Sequence, residues 1–181
     1  MLSGKTDNLK KGTLPRLDPA AYIGYKHVSF TAVTLDRRHV FVRRAVVDPC
    51  IAMLSEDCAR HNCECLVYVF MPDHVHLILH GCDASSDVLQ SHNTWKGRTG
   101  NELCGQFMCH TIWQPRSRDH VLRSHEYERG ALRNMLQYAL QNPARAGLVS
   151  TWQDYPFVGS LIGPYDIRHP YWWDWFYNGR E

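Results

Sequence analysis

The chain has 181 residues, 44% of them apolar and 21% charged, with a formal net charge of +2. That composition excludes an unfolded chain and suffices for one packed domain, while no apolar run is long enough to span a bilayer. The charge is too small to demand a nucleic-acid partner, and an odd count of seven cysteines argues for a reducing compartment over a secreted disulfide framework.

Residues 1–21, beginning MLSGKTDNLKK, are polar, lack the apolar segment of a signal peptide and are expected to form a flexible arm. The stretch YKHVSFTAVTL (25–35) alternates β-branched and aromatic residues with polar ones and predicts a first strand. In DPCIAMLSEDCARHN (48–62), Asp48 can cap, Pro49 suits a first helical position, and Ile51, Leu54 and Cys58 recur on one face, so a helix is expected. Cys58, Cys63 and Cys65 with His61 raise structural zinc, but no second CxxC-type pair accompanies them, and the expected role is small buried apolar residues. Two short strands, CLVYVF (65–70) and HVHLIL (74–79), flank Pro72-Asp73 and predict a tight hairpin. SSDVLQSHNTWKGRTGNEL (85–103) predicts a serine-capped helix with Val88, Leu89, His92 and Trp95 on one face. TIWQ (111–114) reads as a strand, and SHEYERGALRNMLQYALQN (124–142) as a helix from a capping Ser124 to a stop imposed by Pro143. The order β-α-β-β-α-β-α suits an α+β sandwich whose largely antiparallel sheet carries helices on one face.

Strand alternation sets Val75, Leu77 and Leu79 on one side of the hairpin and His74, His76, Ile78 and His80 on the other. Neutral imidazole is a common metal ligand, and an H-x-H pair on a strand brings two rings to one side. On its own the motif is weak. Tyr138 and Asn142 stand one helical turn apart, the first a potential nucleophile and the second an amide-oxygen ligand. Their plainer readings are a half-buried helix tyrosine and a helix-end residue before proline.

Taken together, YVFMPDHVHLILH (68–80), IWQPRSRDHVLRS (112–124) and LQYALQNPARAGLV (136–149) resemble the signature blocks of the single-tyrosine HUH transposases. They are most similar to the REP-associated tyrosine transposases, relatives of the IS200/IS605 transposases, and order and spacing agree over roughly residues 22–160. The resemblance implies a ferredoxin-like (RRM-like) HUH endonuclease domain over residues 22–160, followed by an aromatic tail, 161–181. It implies His74, His76 and Asn142 as ligands for Mg²⁺ or Mn²⁺ and Tyr138 as nucleophile. The substrate would be single-stranded DNA beside a REP-like hairpin, cut through a 5′-phosphotyrosine link and then transferred, that is, DNA transposition. The protein would act as a monomer or homodimer on nucleoid DNA in a bacterial cytoplasm, away from membranes. Two departures remove no functional group: Asp73 replaces the asparagine of many relatives, and Ala139 follows the tyrosine where a β-branched residue is more usual.

Lys96, Arg98, Arg116, Arg118 and Arg145 lie at expected loops or helix edges, where phosphate contacts are easily made. Asp119-His120 is read as structural or as support for the site, and His80 as a satisfied surface histidine. Trp172, Trp173, Trp175 and Phe176 are expected to fold back as core, with base stacking as the other use. Two further functions compete with strand transfer. One is a domesticated hairpin-binding protein with little or no cleavage; the other is an unrelated zinc-dependent hydrolase built on His74 and His76, with Asp73 as its nearest carboxylate.

Overall fold

A computed structural model describes residues 16–179. Five strands, β1 (His27–Val33), β2 (Cys63–Met71), β3 (His74–Gly81), β4 (Arg118–Val121) and β5 (Val158–Gly159), form one sheet in the order β4-β1-β3-β2-β5. Every pairing is antiparallel. With the long helices α1 (Arg44–Arg60) and α2 (Val88–Phe107), the first four strands make the β-α-β-β-α-β order of a ferredoxin-like α+β fold, and β5 extends it at the β2 edge.

The apolar side of β1 and β3, with Val28, Phe30, Val75, Leu77 and Leu79, is fully buried beneath α1 and α2. Phe30 stacks on His92 at 4.1 Å, and the Trp95 indole donates to the Cys50 carbonyl at 2.9 Å, joining the two helices. Val88, Leu89, His92 and Trp95 all face inward, as their spacing predicts. Burying four such side chains contributes on the order of 1.5–3 kcal/mol each for the large apolar ones.

The opposite side is not open to water as a one-layer sandwich would leave it. Val67, Val69 and Ile78 there are also fully buried. Their cover comes from the 124–145 region, which is not the single expected helix but three pieces, α3 (Ser124–Tyr127), α4 (Ala131–Leu140) and α5 (Asn142–Arg145). Tyr127 in α3 meets His27 on that face at 2.8 Å, and α4 packs on β2 and β3. Gly130 causes the break: it precedes α4 with φ of +68°, a conformation that costs glycine nothing and other residues strain. Pro143 does not stop the chain, because it falls at the start of α5, where its missing N–H is harmless.

Other boundaries move for local reasons. Helix α1 begins at Arg44, about one turn before Asp48, because Val46 and Val47 add buried surface, and Pro49 lies inside it. Asp87, not a serine, caps α2 by accepting from the Gln90 N–H at 2.8 Å. TIWQ is not the fourth strand: Trp113 makes only a single bridge to Thr34, and the polar segment Arg118–Val121 forms the edge beside β1. An edge strand needs little apolar content, so alternation could not mark it.

Of the expected arm, residues 1–15 lie outside the described residues. From Arg16 onward the chain is tied down: Arg16 pairs with Asp119 at 3.3 Å, and the buried Tyr22 donates its hydroxyl to the same carboxylate. The aromatic tail folds back as expected, with Trp172 and Phe176 buried and stacked at 5.0 Å in α6 (Trp172–Asn178). No helix among the described residues is long and apolar enough to cross a membrane.

Candidate active site

Antiparallel register builds the first half of the site. Thr31 lies opposite His76 on one side and Arg118 on the other, and His76 lies opposite Val69. A row Arg118–Thr31–His76–Val69 therefore crosses the sheet with its side chains on one face, the face that α3 and α4 occupy.

Both histidines are aimed. The Nδ1–H of His74 donates to Asp73 Oδ1 at 2.5 Å, and Arg37 donates to the other oxygen of that carboxylate at 2.9 Å. Burial alone would raise the Asp73 carboxyl, but its hydrogen bonds to His74 and Arg37 outweigh that and hold it below the usual range. His76 Nδ1 stands 3.1 Å from the Thr31 hydroxyl. With both Nδ1 atoms occupied, the two Nε2 atoms face each other at 3.1 Å. Two lone pairs at that separation repel unless a proton or a cation lies between them. Burial, reinforced by the charge of His74, pushes His76 down to about 4, so it is neutral at pH 7 and in the ligating form. The outer hydrogen bonds fix ring orientation as they do for metal-bound imidazoles, so the pair fits a divalent ion.

The second half is helical. Gln141 closes α4 and opens α5 in helical conformation, so Tyr138, Asn142 and Arg145 remain on one side across the junction. The Asn142 amide donates to the Tyr138 carbonyl at 2.9 Å and to the Ala139 carbonyl at 3.1 Å. That leaves its oxygen as an acceptor facing away from the helix ladder. Tyr138 is 56% exposed, and the Arg145 guanidinium lies over its ring, 4.5 Å from the centroid.

The structure thus brings His74 to His76, and Tyr138 to Asn142 and Arg145. Among the described residues no hydrogen bond or ring contact joins the two sets, which share a face of the sheet through α4. Nor, among the described residues, does a carboxylate or thiolate complete a three-ligand set with the histidine pair. Asp73 is engaged at the Nδ1 side of His74, which removes the base that a zinc hydrolase would need.

Two of the five expected DNA cations are spent inside the protein. Lys96 donates its ammonium to the Gln114 carbonyl at 2.6 Å and the Pro115 carbonyl at 3.3 Å, and burial, with Arg16 nearby, brings it down to about 8. Arg98 binds the fully buried Asp57 at 2.8 Å and Glu56 at 2.6 Å. Arg116 and Arg118 are exposed, and among the described residues neither is in an ion pair. Asp119 points to the other face, toward Tyr22, and is structural. The sequence does not single out Thr31, and it marks Asp73 as a turn former and as the nearest carboxylate for a hydrolase, not as the partner that orients His74. Adjacency to His74 could have marked Asp73; nothing local marks Thr31, whose role arises from strand register.

The family model described as "Transposase IS200 like" matches residues 24–117, a little over half of the 181-residue chain. The match contains His74 and His76 and ends before Tyr138 and Asn142. Among solved structures, "Structure of the REP associates tyrosine transposase bound to a REP hairpin" is similar at a TM-score of 0.64, with 22% identity over 81% of each chain. A second, from Deinococcus radiodurans R1, is 19% identical over 72% of this chain and 98% of its own, at a TM-score of 0.46 too low to bear on the fold. No curated protein matches.

Proposed function

The chain belongs to the IS200-like transposase family, and on that premise we propose that it cuts and rejoins single-stranded DNA beside a REP-like hairpin with Tyr138 as nucleophile. The observation that carries this reading is the convergence of the two Nε2 atoms at 3.1 Å, each ring fixed from behind, on the face covered by the helix that bears Tyr138. Packing alone does not ask for two imidazole nitrogens turned toward each other on this face, where Val67, Val69 and Ile78 already supply the apolar contact.

His74, His76 and the Asn142 oxygen would hold Mg²⁺ or Mn²⁺, leaving positions for phosphate and water; imidazole favours the softer Mn²⁺. Bound there, the ion supplies Lewis-acid polarisation of a phosphate oxygen. Arg118, exposed and two strands from His76 in the same row, lies about 10 Å away at a strand spacing of about 4.8 Å, a suitable reach for a neighbouring phosphate. Arg116 and Arg145 extend the basic track.

The Tyr138 hydroxyl attacks phosphorus. Its oxygen bonds to phosphorus as the bond to the 3′-oxygen breaks; that oxygen leaves with the electron pair and takes a proton, while the phenolic proton passes to solvent. The products are a 5′-phosphotyrosine and a free 3′-hydroxyl. The tyrosine ester preserves the bond energy, so rejoining needs no nucleotide cofactor. The Arg145 guanidinium over the ring favours the negative charge that develops on the phenolic oxygen.

The test is Tyr138→Phe with 5′- and 3′-labelled hairpin DNA on a denaturing gel. The variant should bind the hairpin as the parent does and give neither cut strand nor covalent adduct. An adduct that survives in Tyr138→Phe overturns the assignment; absence of cleavage in the parent chain, with binding intact, favours the hairpin-binding protein instead. Tyr127 and Tyr155 are poor substitutes, because their hydroxyls are engaged by His27 and by the Phe70 carbonyl.

A further inference from the structure

Strand β3 carries a second pair of ligand-type residues at i, i+2 spacing, at its far end: His80 and, just past the strand, Cys82. We propose that Glu64, His80 and Cys82 form a second metal site, one for a zinc-class cation, independent of the His74–His76 pair. Glu64 lies opposite His80 in the antiparallel register, so the two side chains share a face, and Cys82 returns to that face two residues on. One ligand atom from each of the three lies within 4.8 Å of the other two.

A plain Glu64–His80 ion pair is the competing account. It is loose: His80 Nδ1 stands 3.6 Å from Glu64 Oε2, and that buried nitrogen has no hydrogen-bond partner among the described residues. A buried polar atom left in that state is costly, and a cation bonded to Nδ1 would satisfy it. The face of the ring is not idle, because His80 stacks on His27 at 4.1 Å, which holds the imidazole in its present plane.

The donor set selects the metal. Thiolate, imidazole and carboxylate together suit Zn²⁺ and are wrong for Mg²⁺, which asks for oxygen. Zinc–ligand bonds of about 2.0–2.3 Å put tetrahedral ligand atoms roughly 3.3–3.8 Å apart. The 3.6 Å between His80 Nδ1 and Glu64 Oε2 already falls in that range. Six residues at about 3.3 Å separate His74 from His80, about 20 Å, so one ion cannot serve both sites. The site also has a structural reach. His27, stacked on His80, meets the Tyr127 hydroxyl at 2.8 Å, and Tyr127 belongs to the segment that leads into α4.

Zinc titration against a chromophoric competitor, on the chelator-stripped full chain, tests this. The parent should take up a zinc equivalent that Cys82→Ser and His80→Gln lose and that His76→Ala keeps. Co²⁺ in place of Zn²⁺ should give a thiolate-to-cobalt charge-transfer band, absent in Cys82→Ser. Zn²⁺ should raise the Tm of the parent and of His76→Ala but not of Cys82→Ser; Cys82 is exposed, so the metal-free Tm values should agree and exclude misfolding. Zinc uptake unchanged by Cys82→Ser, or a cobalt complex without a thiolate band, overturns the proposal. Loss of uptake in His76→Ala alone would assign the zinc to the other pair and equally overturn it. None of these readouts depends on DNA cleavage, so failure here and failure of the strand-transfer reading are separable.

Discussion

The two halves of the candidate site are made by different physics. The histidine half sits in the middle of a five-stranded sheet, with His76 fixed by Thr31 from the neighbouring strand and His74 by the adjacent Asp73, which Arg37 holds in turn. The tyrosine half rides on a ten-residue helix that follows a glycine break, exposes its key ring and takes its contacts from its own next turns. The first is preorganised by tertiary structure; the second is local and set against the sheet mainly by apolar packing of Leu136, Ala139 and Leu140. A metal site needs fixed ligands, whereas a nucleophile that stays joined to one DNA end must accommodate two substrates. The difference suits both proposed tasks.

The most severe break of the rigid half is His76→Ala, which deletes one of the few proposed protein ligands. Cleavage of a labelled hairpin should fall by more than about a hundredfold while affinity stays near the parent's. Chelation should do the same to the parent, and full activity in EDTA would show the ion to be incidental. Asp73→Ala spares the ligand and removes its support. Half-maximal Mn²⁺ should then rise roughly 10–100-fold, and saturating Mn²⁺ should restore much of the rate. Were Asp73 itself the working base, saturation would restore nothing.

These two changes also show how far the site could be read in sequence. That His74 faces His76, and Tyr138 lies beside Asn142, was legible because each pair lies within four residues, where strand alternation or one helical turn decides who faces whom. The fold was legible from the order of periodic segments. Thr31 was not, since it meets His76 across 45 positions and only the register of β1 on β3 joins them. The commitment of Lys96 and Arg98 was hidden for the same reason, their partners being distant or carbonyl oxygens. Gly130 was visible in sequence, but its positive φ, which splits the expected helix, was not.

On the helical half, effects should be smaller. Arg145→Met removes a cation from the Tyr138 ring at an exposed position, worth about 0.5–1 kcal/mol, or roughly two- to fivefold in cleavage rate. The rate should be measured with saturating DNA, so that any loss of phosphate contact is separated from loss at the ring. Tyr127→Phe deletes the hydrogen bond to His27, costing about 0.5–1.5 kcal/mol. Amide exchange in α4 should speed up while the β1–β3 ladder stays protected; uniform acceleration would mean that the two halves unfold as one.

The smallest expected effect on DNA is none, and it falls on Arg98. Its guanidinium already serves the buried Asp57, shared with Arg60 at 2.9 Å, so a phosphate would have to compete with a desolvated carboxylate for it. Breaking that arrangement to release the arginine would leave Asp57 with one cation instead of two, a loss of the size of a charged hydrogen bond, roughly 1.5–3 kcal/mol. A single exposed phosphate contact returns less than that at physiological salt. Arg98→Met should therefore lower the Tm and leave both hairpin affinity and its salt dependence unchanged. Arg118→Met, on the site face and with no ion pair among the described residues, should do the reverse: an unchanged Tm, weaker binding, and a slope of log affinity against log salt shallower by about 0.7 for a single-strand phosphate contact. If Arg98→Met flattens the slope and Arg118→Met does not, the DNA runs along the α1–α2 side of the sheet, and the histidine face loses its claim to the substrate.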